Sequence, residues 1–207
     1  MEINRMALYH GTCAGNALKI MHSQKILPST DGFFYCFDSA KPESLAGALC
    51  FATGDDLRIG SIKKNDFFAQ YVQLNPGFPK GVKGAFVKAA LKMAVRSWSK
   101  EQRKSITSPL DRHAAILVFN SHPDEMPRSR EGFVNEVQIP EKALGSLVLD
   151  RVYLDDSLLK LPEVALLKQQ GIRVEALSQC VDQVAKDCQR PQTATRFSKA
   201  PKGPKRS

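Results

Sequence analysis

The chain has 207 residues, of which 43% are hydrophobic and 25% charged, and its formal net charge is +9. This length suits one domain of ordinary size and excludes a second full domain. Because Met1–Arg5 lacks the apolar block of a signal peptide and no apolar run is long enough to cross a bilayer, we expect a soluble protein, either cytoplasmic or secreted into a host cytosol without a signal peptide.

Two segments hold most of the positive charge. Residues 80–104 carry +7 and residues 190–207 carry +6, whereas residues 1–79 are neutral and residues 105–189 carry −4. The last segment also lacks apolar periodicity, which predicts a single domain over residues 1–189 followed by a disordered basic tail. Such a tail either contacts an acidic protein, a nucleic acid or a membrane surface, or only keeps the chain in solution.

The cysteines stand singly, without a C-x-x-C pair and without histidines at the spacing of a zinc site. Their odd number and wide spacing predict free thiols in a reducing compartment, and we expect no bound metal. For Cys13 we favour a small buried hydrophobic residue over a nucleophile. The cysteines are Cys13, Cys36, Cys50, Cys180 and Cys188.

The first quarter of the chain alternates short apolar runs with helical patterns. Ala17, Leu18 and Met21 fall on one side of a helix that directly follows an apolar strand. Asp38 and Ser39 are candidate N-caps for a second helix. The predicted elements are a strand over 6–12, a helix over 14–24, an aromatic strand over 33–37 and a helix that runs through 43 to about 52.

The middle of the chain carries the clearest helical signal. Between about Gly84 and Arg103, apolar residues recur at helical spacing and basic residues follow at four-residue steps on another side. We interpret this segment as a solvated amphipathic helix rather than a nucleic-acid helix, because no aromatic residues alternate with the charges to stack on bases. The preceding segment, 67–74, predicts a strand. The apolar residues are Val87, Ala90, Leu91, Ala94 and Trp98, and the basic ones are Lys88, Lys92, Arg96 and Lys100.

The second half of the chain predicts four strands and one helix. The run 114–119 is entirely apolar, which indicates a central strand covered on both faces. The strand over 132–140 contains Glu136 on the same face as Val134, and a carboxylate in a half-buried strand is costly unless it has a partner. The remaining elements are strands over 147–154 and 172–177 and a helix over 163–170 that ends at Gly171.

Three features follow one another along the chain in an informative order. The first is Tyr9-His10-Gly11-Thr12 at a strand end, the second is Tyr35 in the aromatic strand, and the third is Glu136. This order resembles the ADP-ribosyltransferase superfamily, in the His…Tyr…Glu branch that includes the diphtheria-toxin-like and poly(ADP-ribose) polymerase-like enzymes. The resemblance is one of motifs, and it covers residues 6–52 and 112–140.

A short segment matches each of the three motifs of that branch. Residues 9–12 match the first motif and residues 135–137 match the third. The second motif falls on residues 32–38, with a phenylalanine where the family often has a glycine, so either Phe34 or Tyr35 faces the ligand. We favour Tyr35, because the aspartate that follows it then falls where the family often has one.

The resemblance implies an α+β fold, in which a split mixed or antiparallel β-sheet is flanked by helices, and a site that takes NAD as a substrate without a metal. In the family, the histidine hydrogen-bonds the adenosine ribose, the next glycine holds the nicotinamide carboxamide through its backbone, and the tyrosine stacks on the nicotinamide ring. These roles fall on His10, Gly11 and Tyr35, with Thr12 beside them at the cofactor.

The family's glutamate, matched here by Glu136, hydrogen-bonds the 2′-hydroxyl of the nicotinamide ribose. Cleavage of the nicotinamide–ribose bond builds up an oxocarbenium-like cation. A fixed negative charge at this place stabilises the transition state more than the ground state, which makes Glu136 the residue on which an enzymatic function depends.

The leading hypothesis is a mono-ADP-ribosyltransferase that uses NAD to modify a protein, as bacterial toxins and effectors of this family do. We expect the target protein to be held by the variable loop at about 120–130 and by the basic surfaces, which favour an acidic partner. One alternative is an enzyme directed at nucleic acid, either an ADP-ribosyltransferase or a relative of tRNA 2′-phosphotransferase. Another is a catalytically inactive module that binds a partner through the basic 80–104 face.

Overall fold

The computed structural model describes residues 6–29, 31–53, 66–104, 108–121 and 136–189. In this part of the chain, helices flank both faces of one six-stranded mixed sheet, which confirms the predicted fold class. The strands are β1 (Met6–Cys13), β2 (Phe33–Asp38), β3 (Ala114–Ser121), β4 (Glu136–Pro140), β5 (Val148–Leu154) and β6 (Arg173–Ala176). The helices are α1 (Ala14–Ser23), α2 (Ser44–Thr53), α3 (Phe67–Leu74), α4 (Gly81–Lys104), α5 (Pro162–Gln169) and α6 (Leu177–Gln189).

The strands lie in the order β4-β2-β1-β3-β5-β6, and all neighbours are antiparallel except β5 and β6. The two central strands, β1 and β3, pair along their whole length, from Met6 opposite Ser121 to Cys13 opposite Ala114. Strand β3 is apolar because helices cover both of its faces, as its sequence predicts.

Each face of the sheet has its own hydrophobic core. Helices α1 and α5 cover one face, where Leu8, Phe34 and Leu117 are buried. Helices α2, α3 and α6 cover the other face, where Phe37 and Ile116 are buried. Because successive residues of a strand point to opposite faces, neighbouring residues of β1 and β2 contribute to different cores.

Helix α1 begins directly at the end of β1. The sulfur of Cys13 accepts the backbone N–H of Asn16 at 3.4 Å and contacts the Asp111 carboxylate at the same distance. The N–H of Ala14 donates to the His113 carbonyl at 2.8 Å. Cys13 is therefore buried, as expected from the sequence, and it also caps a helix. No disulfide joins the five cysteines, all of which are among the described residues.

The prediction of a strand over 67–74 is wrong, because this segment forms helix α3. The aromatic and β-branched composition of the segment is typical of a strand. Its buried residues nevertheless recur at helical spacing, at Phe67, Tyr71 and Leu74, and the side chain of Asp66 caps the helix by accepting the N–H of Ala69 at 2.9 Å.

Helix α6 was not predicted from the sequence. Leu177, Cys180 and Val184 are buried against the second core, at a spacing that fits one side of a helix. The strand predicted over 172–177 extends one residue too far at its end, because Leu177 is the first residue of this helix.

The predicted N-caps of α2 are also wrong. The helix begins at Ser44, several residues after Asp38 and Ser39. The Asp38 side chain instead accepts the N–H of Ala40 at 2.8 Å, and it closes a turn that precedes the helix.

Two predicted segments fall largely or wholly outside the described residues. Strand β3 continues through Ser121, so only the first two residues of the loop predicted over 120–130 are described, and they belong to the strand. The predicted tail over 190–207 lies outside the described residues. Within the described ranges, no helix combines the length and the apolarity needed to cross a membrane.

Gly11 sits where α2 crosses β1 at close range. A Cβ atom at this position would overlap the carbonyl oxygen of Ala48 and lie 3.0 Å from the backbone nitrogen of Ala52. We expect Gly11→Ala to destabilise the protein by about 1–3 kcal/mol in urea unfolding followed by circular dichroism.

A matched control for this substitution is Gly145→Ala, because a Cβ atom there meets nothing within 4 Å. Equal unfolding midpoints for the two variants would contradict the close approach of α2 to β1.

Candidate functional site

The sheet is split between β1 and β2. Backbone pairing in the described structure joins these strands at Leu8–Asp38 and at Tyr9–Phe37, whereas each strand continues its pairing on its outer side. From His10 onward the two strands separate. The gap that results lies beside the end of β1 from which α1 begins.

A cleft of about 810 Å³ occupies this split, which is within the usual range of about 300–1,000 Å³ for small-molecule sites. Strand β1 contributes one wall, and β2 together with β4 contributes the other. All six residues predicted for the site line this cleft. They are His10, Gly11, Thr12, Phe34, Tyr35 and Glu136.

The side chain of His10 bridges the split. Its Nδ1 lies 2.6 Å from the carbonyl oxygen of Tyr35, and its ring stacks on Phe34 with centroids 4.1 Å apart. Burial lowers the pKa of His10 to about 4, although the hydrogen bond to the carbonyl raises it. The imidazole is therefore neutral at physiological pH.

The hydrogen bond to Tyr35 also fixes the tautomer of His10. A carbonyl oxygen can only accept, so Nδ1 carries the proton. The second ring nitrogen, Nε2, is consequently an acceptor. His10 thus presents Nε2 to the cleft as an uncharged acceptor. Its contacts with the Tyr35 carbonyl and the Phe34 ring fix the orientation of the imidazole.

Phe34 and Tyr35 occupy different environments, which bears on the choice between them. Phe34 is buried, with one face on His10 and an edge-to-face contact to Phe119 at 5.7 Å. Tyr35 is half-buried, and its hydroxyl donates to the Asp31 carboxylate, which also accepts from Ser29 at 2.7 Å. The ring of Tyr35 is therefore the better placed to stack on a ligand.

The pKa of Tyr35 rises to about 12, mainly through burial and secondly through the hydrogen bond and the negative charge of Asp31. The negative charge of Glu136 raises it further. Tyr35 is thus a neutral phenol at physiological pH, and its hydroxyl is held by the Asp31 carboxylate.

Gly11 and Thr12 contribute a short stretch of β1 to the cleft. The glycine is required by the packing of α2 against β1, which gives it a structural role in addition to the predicted ligand contact. Thr12 is buried and lies on the same face of β1 as His10.

Glu136 lies opposite Phe37 in the pairing of β2 with β4, so it shares a face with Tyr35. Burial raises the pKa of Glu136 to about 7. Among the described residues, none donates a hydrogen bond to this carboxylate. Burial raises the pKa of Cys36 and of Tyr35, and the negative charge of Glu136 raises both further.

The register divides the cleft into two ends. Glu136, Tyr35 and Gly11 lie on the face covered by α2, where Phe51 and Leu91 complete an apolar lining. The other end lies on the face covered by α1 and contains polar and cationic side chains beside His10. These are Asn16, Lys19, Ser23 and Lys25.

The residues around these two ends were not identified from the sequence. The polar side of α1 carries Asn16, Lys19 and Ser23 at helical spacing immediately after the His10 motif, which was the available signal. The contribution of α4, through Leu91 and Ala94, had no comparable signal because it depends on tertiary packing.

Comparison of the chain with models of protein families, with curated proteins and with solved structures finds no match. Across the described ranges, no three His, Cys, Asp or Glu side chains are grouped in a way that would hold a metal ion. A function for this cleft therefore has to be argued from its geometry and its charges.

The raised pKa of Glu136 predicts a pH-dependent stability. Because its native pKa of about 7 lies above the ordinary value of 4.5, protonation favours the folded state, fully below about pH 4.5 and no longer as the pH rises through about 7. We expect Glu136→Gln to match the wild type at low pH and to be more stable above pH 7, by on the order of 2 kcal/mol.

Urea unfolding of both proteins across this pH range checks the prediction. Glu141→Gln, at an exposed position that follows the same strand, is the matched control. The prediction is refuted if the difference in free energy of unfolding between the wild type and Glu136→Gln stays constant from pH 4 to pH 8.

Proposed function

We propose that the chain is a mono-ADP-ribosyltransferase that cleaves the nicotinamide–ribose bond of NAD and transfers ADP-ribose to a protein side chain. The observation that carries the proposal is the meeting of Glu136, Tyr35 and a neutral His10 in one cleft at a split in the sheet. Each of the three suits a different part of the dinucleotide.

The end of the cleft on the α2 face suits the nicotinamide riboside. The ring of Tyr35 offers a stacking surface, and the backbone beside Gly11 offers hydrogen bonds to a carboxamide. The carboxylate of Glu136 has no donor among the described residues, so it is available to accept a hydroxyl of the ribose. A fixed negative charge beside that sugar favours the transition state.

In the proposed reaction, the bond between the pyridinium nitrogen and the anomeric carbon breaks, and its electron pair stays on the departing nicotinamide. The positive charge moves from the pyridinium ring to the ribose, where the ionised Glu136 stabilises it. A lone pair of the acceptor side chain then forms the new bond to the anomeric carbon. The acceptor loses its proton in this step.

The end of the cleft on the α1 face suits the adenosine half of NAD. The bare Nε2 of His10 accepts a ribose hydroxyl, because the bond from Nδ1 to the Tyr35 carbonyl holds the other nitrogen as the donor. Lys19 and Lys25 line the same end and provide positive charge for a diphosphate. The charges of the cleft thus run from negative at Glu136 to positive at the lysines.

We propose a protein as the acceptor, modified once by an effector or toxin that acts in a host cytosol. The exposed lysines of α4 favour an acidic partner surface. They also support the second candidate, an ADP-ribosyltransferase directed at nucleic acid. A relative of tRNA 2′-phosphotransferase is less well supported, because that family relies on basic residues where this cleft has Tyr35 and Glu136.

A labelled-NAD assay with protein, DNA and RNA side by side separates these candidates. Label on protein supports the leading proposal, and label on nucleic acid alone overturns it. An inactive binding module predicts no release of nicotinamide under any of these conditions. In that case, loss of partner binding would follow neutralisation of Lys88, Lys92 and Arg96 rather than replacement of Glu136.

Replacement of Glu136 tests the catalytic proposal directly. We expect Glu136→Gln to lower the rate of nicotinamide release from NAD by about a hundredfold or more, because the transition state loses its counter-charge. In the wild type, kcat/KM should rise with pH through about 7 as the carboxylate ionises, and this dependence should disappear in the variant.

The variant keeps the shape of the side chain, and its unfolding curve serves as the control for folding. A folded Glu136→Gln protein with the wild-type rate of nicotinamide release would exclude the proposed role.

Two substitutions of Tyr35 separate its ring from its hydroxyl. We expect Tyr35→Phe to retain most of the activity and Tyr35→Ala to raise KM about tenfold, because an aromatic stacking contact contributes about 0.5–1.5 kcal/mol. Steady-state kinetics of nicotinamide release measures both. A similar KM for Tyr35→Ala and the wild type would exclude the stacking role of Tyr35.

A further inference from the structure

Helix α4 has a second apolar side that faces solvent. Val82, Phe86 and Met93 lie at steps of four and seven residues, and they are 90%, 73% and 65% exposed. The opposite side of the helix is buried through Val87 and Leu91. An exposed apolar row on a helix that already packs into the protein indicates an interaction surface.

Basic side chains border this row on both sides. At 3.6 residues per turn, Lys83 lies about 80° from the row on one side and Lys92 lies about 100° from it on the other, and both are exposed. Arg96 lies on the same side as Lys92 and Lys100 lies in line with the row, and both are also exposed. The outer side of α4 therefore combines apolar side chains at its centre with a cationic border.

We propose that this outer side of α4 binds an anionic phospholipid surface, with its axis parallel to the membrane plane. The exposed apolar side chains enter the boundary between headgroups and acyl chains, and the lysines reach the acidic headgroups while their aliphatic stems cover apolar surface. The binding lies on the membrane and does not cross it, in agreement with the described helices, none of which could span a bilayer.

The composition of the surface favours a lipid boundary over a nucleic acid. Exposed Ala85 and Ala89 lie next to the row and widen its apolar area. A nucleic acid would pair with the lysines but leave Val82 and Met93 in water. A fluid lipid boundary takes up both features at once, and it complements the local charge.

This surface has a consequence for the cleft. Leu91 and Ala94 of the same helix line the cleft, so docking through the outer side would hold the cleft close to the membrane. If the proposed transferase function holds, the acceptor is expected to be a membrane-associated protein. The lipid binding itself does not depend on that function, and it is measured without NAD.

Co-sedimentation of the full chain with phosphatidylcholine vesicles, with and without phosphatidylserine, tests the proposal. We expect binding only when phosphatidylserine is present. Combined replacement of Val82, Phe86 and Met93 by serine should weaken it about a hundredfold. Replacement of Lys83, Lys92 and Lys100 by glutamine should weaken it by a similar factor, at about fivefold per lysine.

Two matched controls distinguish the effect of this surface from general effects of misfolding and of lower total charge. Val148→Ser with Leu166→Ser removes apolar side chains that are 55% and 53% exposed elsewhere on the protein. Replacement of Lys142, Lys160 and Lys168 by glutamine removes the same number of exposed charges. Both control proteins should bind these vesicles as the wild type does.

Three results would overturn the proposal. The first is unchanged vesicle binding by the serine variant, which would assign the binding to charge alone. The second is equal binding to vesicles without phosphatidylserine. The third is an absence of vesicle binding by a chain that binds RNA or polyglutamate through the same lysines, which would assign the surface to a macromolecular partner.

Discussion

The hydrogen bond from the imidazole of His10 to the carbonyl of Tyr35 is the contact on which the cleft depends. A sheet that separates between two strands leaves backbone groups without their ladder partners, and such groups are costly when they are buried. Here a side chain replaces the missing backbone donor at 2.6 Å, just where β1 and β2 separate. Burial keeps His10 neutral, and the same bond places the proton on Nδ1 and leaves the other nitrogen as an acceptor. This hydrogen bond therefore satisfies the Tyr35 carbonyl where the strand pairing ends, and it fixes which nitrogen of His10 accepts in the cleft.

Two adjacent residues of β1 serve opposite faces of the sheet. His10 points to the face of α1, where Phe34 supports its ring, and Gly11 points to the face of α2, where a side chain would overlap the backbone of Ala48. A second glycine, Gly47 of α2, allows the matching approach from the helix, because a Cβ atom there would lie 2.6 Å from the ring of Phe37. The helix thus packs directly against the strands where they separate and closes the cleft on that face.

The sequence predicts the elements with strong periodicity and six of the residues that line the cleft, whereas the split of the sheet is expected only from the family resemblance. Strand β3 and helix α4 follow from an apolar run and an amphipathic pattern. The segment that forms helix α3 predicts a strand, because its aromatic composition outweighs the helical spacing of its buried residues. The packing role of Gly11 has no local signal, because it depends on a helix far along the chain. The separation of β1 from β2 is likewise a property of register, which only the three-dimensional pairing determines.

The burial of Glu136 links stability and function. A carboxylate without a hydrogen-bond donor among the described residues destabilises the fold when it ionises, and its raised pKa expresses that cost. If this position served only the fold, a neutral side chain would stabilise the protein more than a carboxylate does. A carboxylate that is poorly solvated and without a fixed partner, by contrast, interacts strongly with any positive charge that develops beside it. The unfavourable placement of Glu136 in β4 is therefore itself an argument for a cationic transition state in this cleft.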